Sequence, residues 1–139
     1  MSAMPFARHL GMEVEHAADG EATVRLPLGE EHSSLPDRVV AHGGVVHALA
    51  DTAGGAAVIS LHGEPTPTVD IRFDHLAPAT EDLVATAEVL RDGDSVAVAK
   101  MTVEDVEGTR VAVGQGVYKT GAPEGPSTWG SDPESSLGE

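Results

Sequence analysis

The residues best suited to chemistry lie in one apolar stretch, AHGGVVHALADTAGGAAVIS, at positions 41–60. Two glycines, Gly43 and Gly44, stand near its start, and a single acid, Asp51, lies among its aliphatic residues. Since a carboxylate is costly to hold in apolar surroundings, Asp51 is a candidate catalytic group. The stretch predicts a buried helix, and the first N–H groups of a helix lack intrahelical partners. Those donors suit a developing oxyanion, and glycine lets a bulky carbonyl group approach them.

Two interpretations of Asp51 follow from the residues alone. It either takes part in catalysis or is a structural buried acid bonded to His47, one turn earlier on the same helix face. Asp51 also shares a face with Gly44, but about 10 Å of axial rise separates the two positions. One small carbonyl carbon therefore cannot readily contact both positions in the same chain.

The pattern around this stretch predicts a short helix, two strands, the long helix and four more strands. The short helix is at 5–10, an Asp19-Gly20 turn joins the first two strands, and the later strands are at 68–76, 82–91, 95–106 and 109–119. Short turns between the last three strands indicate an antiparallel meander.

In the strand at 68–76, apolar and polar residues alternate, so the two kinds of side chain lie on opposite faces of the strand. The apolar face holds Val69, Ile71 and Phe73, and the other face holds Thr68, Asp70, Arg72 and Asp74. Because the long helix is apolar all round, nearly every side of it must be covered. The sequence therefore predicts an α+β fold in which a curved antiparallel sheet wraps around one long central helix. Glycines at 54, 55, 114 and 116 would permit close packing.

The composition excludes several classes of partner. A formal net charge of -15 argues against nucleic acid and anionic membranes. The chain has no cysteine, and its histidines fit no metal-binding spacing. No signal peptide is visible, and no apolar run reaches the roughly 20 residues of a membrane helix, so a cytoplasmic protein is expected. Residues 1–120 form one domain, and 121–139 form an acidic, flexible tail in which Trp129 is either disordered or docked on a neighbouring surface.

Four segments together resemble a known family. They are HGGVVHALAD, with an acid nine positions after the His, and FARHLGMEV, TVDIRFDHLAPA and VAVGQGVYK. Residues 5–119 resemble the hot-dog-fold acyl-CoA thioesterases of the phenylacetate-pathway (PaaI-like) type. The resemblance implies hydrolysis of an acyl-CoA, with an aryl-acetyl or short to medium acyl group, to free acid and coenzyme A. No cofactor is implied, because coenzyme A is part of the substrate. A homodimer with shared active sites, assembled into a homotetramer, is also implied.

The resemblance assigns the catalytic roles to three residues. Asp51, reaching the site from the opposing subunit, attacks the thioester carbonyl or activates a water, and the sequence leaves both routes open. The Gly43 N–H is the oxyanion donor. Thr68 holds the water, unless it is an ordinary β-branched strand residue.

Five further residues are candidates for substrate binding. His42, Gly44 and His47 belong to the motif at the helix start, where His42 is a structural or carbonyl-proximal side chain rather than a base. Arg72 and Arg91 are the cations that best suit the phosphates of coenzyme A. Each arginine is alternatively a solvated strand charge.

One departure from the family pattern bears on mechanism. Many members carry Asn or Gln six residues before the His, where this chain has Pro36, and Val39 stands where Gly is frequent. Either Ser33, Ser34 or Arg38 substitutes for the missing side chain, or the activity is altered. A non-catalytic hot-dog module that binds an acyl thioester is therefore the alternative function. A hydratase is a weaker rival, because its Asp…His pattern is not evident.

Overall fold

The computed structural model describes residues 4–121. Its elements, in chain order, are α1 (Pro5–Leu10), β1 (Glu13–Ala18), β2 (Glu21–Leu26), a 3₁₀ turn (Glu30–His32), α2 (Gly43–His62), β3 (Thr68–His75), β4 (Leu83–Asp92), β5 (Val96–Asp105) and β6 (Arg110–Lys119). The predicted order of two strands, a long helix and four strands is confirmed. The predicted tail, with Trp129, lies outside the described residues apart from Gly121.

All six strands form one antiparallel sheet in the order β1-β2-β4-β5-β6-β3. The first hairpin turns at Asp19 (φ 54°) and Gly20 (φ 80°), a left-handed pair that Asp-Gly adopts readily. The β4-β5-β6 meander has the predicted short turns. β3 crosses from the end of α2 to the far edge of the sheet and pairs with β6.

α2 packs on the inner face of the sheet, mainly against β2, β4 and β5. That face is rich in alanine, with Ala85, Ala87, Ala97 and Ala99 all buried, so the helix lies close to the strands. In the described part of the chain, α2 alone is long and apolar enough to span a membrane by length and composition. The expectation that no apolar run reaches that length was therefore wrong, because glycine, alanine and threonine between the larger side chains extend the run. The helix is part of the core of this fold.

The sheet covers only one side of α2. On the other side Val45, Ala48 and Ile59 are half-exposed, whereas Leu49, Ala53 and Val58 on the sheet side are buried. The prediction that nearly every side of the helix is covered is therefore wrong for a single chain, because the sheet packs on one side of α2 and leaves the other side partly exposed. β3 lies at the edge of the sheet, where Val69 is 59% exposed.

Gly54 and Gly55 differ in the space available for a side chain. A Cβ added to Gly54 would overlap the Tyr118 hydroxyl and lie 3.0 Å from the Met101 Sδ. A Cβ added to Gly55 would meet its nearest neighbour, the Tyr118 Cε1, at 3.7 Å, an ordinary contact. Close approach therefore requires glycine at position 54 only.

This difference predicts opposite effects for two neighbouring substitutions. Gly54→Ala is expected to destabilise the fold by about 1–3 kcal/mol, because overpacking outweighs the gain in helix propensity. Gly55→Ala, the matched control, is expected to stabilise it by up to about 1 kcal/mol. Urea denaturation followed by circular dichroism measures both. A Gly54→Ala midpoint at or above that of Gly55→Ala would contradict the packing described here.

Candidate active site

Asp51 lies in the middle of α2, on its half-exposed side. Two hydroxyl groups donate hydrogen bonds to its Oδ1: the Thr68 Oγ1 at 2.7 Å and the Tyr118 Oη at 3.1 Å. Within residues 4–121, no hydrogen bond reaches Oδ2 and none joins Asp51 to His47. The interpretation of Asp51 as an acid bonded to His47 is therefore wrong. The carboxylate has one anchored oxygen and one open oxygen.

A β-bulge brings Thr68 to the carboxylate. The β3–β6 register shifts between Thr68 and Asp70, so Thr68 pairs with Tyr118 and both side chains lie on the helix side of the sheet. Thr68 thus shares a face with Phe73, which contacts α2. Period two had placed Thr68 on the opposite face, and that placement is wrong because one extra residue reverses the alternation.

Tyr118 is a buried partner of Asp51 that sequence reasoning missed. Burial chiefly, and then the neighbouring Asp51 charge and hydrogen bond, raise the pKa of the Tyr118 phenol well above its usual range. The phenol therefore remains a protonated hydrogen-bond donor at neutral pH. Its signal in the sequence is slight, namely an aromatic residue two positions after Gly116 in a chain with few aromatics.

His42 caps the start of α2. The ring Nδ1 of His42 accepts a hydrogen bond from the Gly44 N–H at 2.8 Å. The backbone N–H of His42 donates to the His32 carbonyl, also at 2.8 Å. The Gly44 N–H is therefore engaged. The Gly43 N–H, at the first helical position, has no acceptor within the described residues and stays available for a ligand.

β3 runs alongside the first half of α2 in the opposite direction. Thr68 lies at Asp51, the Phe73 ring stands edge-on to His47 with centroids 6.0 Å apart, and His75 stands near Gly43. Phe73 also contacts the His75 ring edge-on at 6.0 Å. His75 was not predicted as a site residue, since period two identifies the face of a strand residue but not its helix neighbour.

The two predicted phosphate-binding arginines lie away from this arrangement in a single chain. Arg72 is exposed on the outer face of β3 and pairs with Asp74 at 3.2 Å. Arg91 is exposed near the far end of α2, where the adjacent Asp92 contacts the His62 ring at 2.6 Å. Their roles toward coenzyme A stay predictions.

In the loop that carries Pro36, two of the three candidate replacements for a side-chain amide are bonded locally. The Ser33 hydroxyl donates to the carbonyls of Leu35 and Arg38 and accepts from the Val40 N–H. The Arg38 guanidinium pairs with its neighbour Asp37 at 3.2 Å and is exposed. Ser33 and Arg38 are thus bonded within their own loop.

Chemically, the site offers a carboxylate oxygen and a separate N–H donor. Gly43 and Asp51 are eight residues apart along α2, about 12 Å of rise, so one chain does not present both to one small group. Among residues 4–121, no cluster of three or more His, Asp or Glu side chains could hold a metal ion. The arrangement suits attack on a polarised carbonyl.

Comparisons with known proteins agree with attack on a carbonyl group at this site. Residues 40–112 match the family model described as the thioesterase superfamily. A relative from Halobacterium salinarum is 40% identical over 121 residues, which cover 79% of this chain and 80% of the relative. Its name describes it provisionally as an esterase. The medium/long-chain acyl-CoA thioesterase YigI of Escherichia coli is 28% identical over 134 residues, 85% of this chain and 86% of YigI.

A solved structure extends the agreement to the fold. A mutant of the phenylacetic acid degradation protein PaaI from Thermus thermophilus superposes with a TM-score of 0.76 at 30% identity, covering 84% of this chain and 98% of that one. The chain belongs to the thioesterase superfamily and has its hot-dog fold. By class it is a thioester hydrolase.

Proposed function

We propose that the protein hydrolyses the thioester of an aryl-acetyl or short to medium-chain acyl-CoA in the cytoplasm, giving the free acid and coenzyme A. The observation that carries the proposal is the Asp51 carboxylate, whose Oδ1 is held by two hydroxyl groups while Oδ2 is open. Oδ2 either attacks the thioester carbonyl or takes the proton of an attacking water. YigI, named for medium and long acyl chains, supports the medium-chain part of this range, and PaaI, named for phenylacetic acid degradation, supports the aryl-acetyl part.

The carbonyl is polarised by the helix start. The Gly43 N–H is free to donate to the oxygen on which negative charge develops, and the helix dipole assists it. The Thr68 hydroxyl donates a hydrogen bond to Asp51, so its oxygen can still accept a hydrogen bond from the attacking water. The tetrahedral intermediate then expels the coenzyme A thiolate. When water attacks, this step gives the free acid directly; when Oδ2 attacks, it leaves an anhydride on Asp51, which water hydrolyses to the free acid and the Asp51 carboxylate.

A homodimer completes the site. Two copies of α2 that run antiparallel across a two-fold axis bring Asp51 of one chain near the Gly43 N–H of the other. The half-exposed side of α2 and the edge strand β3 are the surfaces available for this pairing, since an edge strand offers unpaired backbone groups. Two such dimers would form the expected homotetramer.

A thiol-release assay tests the proposed function. Phenylacetyl-, hexanoyl-, octanoyl- and palmitoyl-CoA are each incubated with the protein, free thiol is followed colorimetrically, and calorimetry measures binding of each compound. Hydrolysis of the first three in preference to palmitoyl-CoA is the expected result. Binding without thiol release would favour the non-catalytic module, which the lack of an amide side chain at Pro36 supports.

A further inference from the structure

Tyr118 is almost completely buried between α2 and the sheet, with its hydroxyl directed at Asp51. The residue is 1% exposed, and the hydroxyl lies 3.1 Å from the Asp51 Oδ1 and 3.2 Å from the Asp51 carbonyl oxygen. A group so buried does not touch an acyl-CoA. Any effect of Tyr118 on the reaction must therefore pass through Asp51.

Two glycines make room for this ring. A Cβ on Gly54 of α2 would overlap the hydroxyl, and a Cβ on Gly116 of β6 would lie 2.7 Å from the ring Cε2 and 2.9 Å from the hydroxyl. The helix and the strand thus both lack a side chain where the phenol sits. The fold seats the tyrosine hydroxyl against the acid rather than merely filling space with an apolar residue.

Thr68 and Tyr118 act on the same carboxylate oxygen from neighbouring strands. They are cross-strand partners in the β3–β6 ladder, and both donate to Oδ1. A carboxylate held at one oxygen by two donors cannot rotate about its Cβ–Cγ bond without losing both. Its other oxygen is thereby kept toward the half-exposed side of α2.

We propose that Tyr118 is a positioning residue that, together with Thr68, fixes the Asp51 Oδ1, so that Oδ2 alone reacts with the thioester or its water. The inference rests on the proposed function, because it assumes that Asp51 carries the reaction. It goes further in giving the two carboxylate oxygens different roles and in assigning a function to the buried phenol.

The test removes single hydroxyl groups while keeping their shapes. Tyr118→Phe is expected to lower kcat about tenfold with KM unchanged, since a loosened carboxylate spends less time aligned for attack. Thr68→Val should lower kcat further, because it also removes the oxygen that accepts a hydrogen bond from the attacking water. Thr66→Val is the matched control, because the Thr66 hydroxyl is buried near the start of β3 without a hydrogen-bond partner.

A second readout does not depend on activity. In a crystal structure of Tyr118→Phe, the Asp51 carboxylate is expected to adopt a second orientation. A single orientation identical to that of the unsubstituted protein would overturn the proposal. So would a kcat within about twofold of the unsubstituted protein, or a loss of kcat no larger than that of Thr66→Val.

The outcomes also separate this inference from the proposed function. If Asp51→Asn is inactive and Tyr118→Phe is fully active, only the positioning role fails. If Asp51→Asn keeps full activity, the assignment of Asp51 fails, and the role of Tyr118 fails with it.

Discussion

Asp51→Asn is expected to lower kcat for acyl-CoA hydrolysis by about 10²–10⁴-fold. The substitution is unusually selective, because an asparagine carbonyl can take the place of Oδ1 and still accept from Thr68 and Tyr118. What it removes is the open oxygen, replaced by an amide NH₂ that neither attacks a carbonyl nor accepts a proton. Steady-state kinetics on the best substrate of the acyl-CoA panel measures the loss.

A charge-matched control separates chemistry from electrostatics. Asp70→Asn removes one negative charge from an exposed position on β3, close in sequence to Thr68. It should leave kcat nearly unchanged, and both variants should have similar midpoints of thermal unfolding. An Asp51→Asn enzyme that retained more than about a fifth of wild-type kcat would contradict a catalytic role for this carboxylate.

The sequence predicts most of the fold because its signals are local. Asp19-Gly20 identifies a hairpin by its left-handed backbone, and period two identifies β4, β5 and β6. The coverage of α2 was overestimated, since apolar residues on its outer side do not reveal whether strands or a second chain cover them. Local patterns therefore give the elements but not everything that packs on them.

The candidate catalytic acid was predictable, but its partners were not. Asp51 stands out as the acid within an apolar helix, whereas its bond to Tyr118 joins residues 67 positions apart. Thr68 was proposed through the resemblance, and its true face depends on a bulge that only the pairing with β6 creates. The side chains that bond to this carboxylate come from β3 and β6, so the tertiary structure is needed to find them.

Gly43→Pro is expected to lower kcat by about 10²–10³-fold, the cost of losing one oxyanion donor. Proline is favoured at the first position of a helix, and His42, at φ -58° and ψ 139°, already has the backbone conformation that a following proline requires. The substitution therefore removes the N–H with little strain. Gly43→Ala keeps the N–H and adds a methyl group 3.6 Å from the His75 ring, so it should lose activity only through the narrower approach of the carbonyl, and much less than Gly43→Pro loses. Equal losses in the two variants would argue against the N–H as the donor.

Combining the two inactive variants tests whether two chains share each site. In a heterodimer of one Asp51→Asn chain and one Gly43→Pro chain, trans pairing leaves one site with both functional groups and the other with neither. Co-expression with two different affinity tags isolates this heterodimer, which should recover about half of the wild-type activity. If Gly43 and Asp51 instead served the same site within one chain, every site would lack one group and no activity would return. Recovery would therefore show that each site combines Asp51 of one chain with Gly43 of the other, although the two residues lie about 12 Å apart along α2 within one chain.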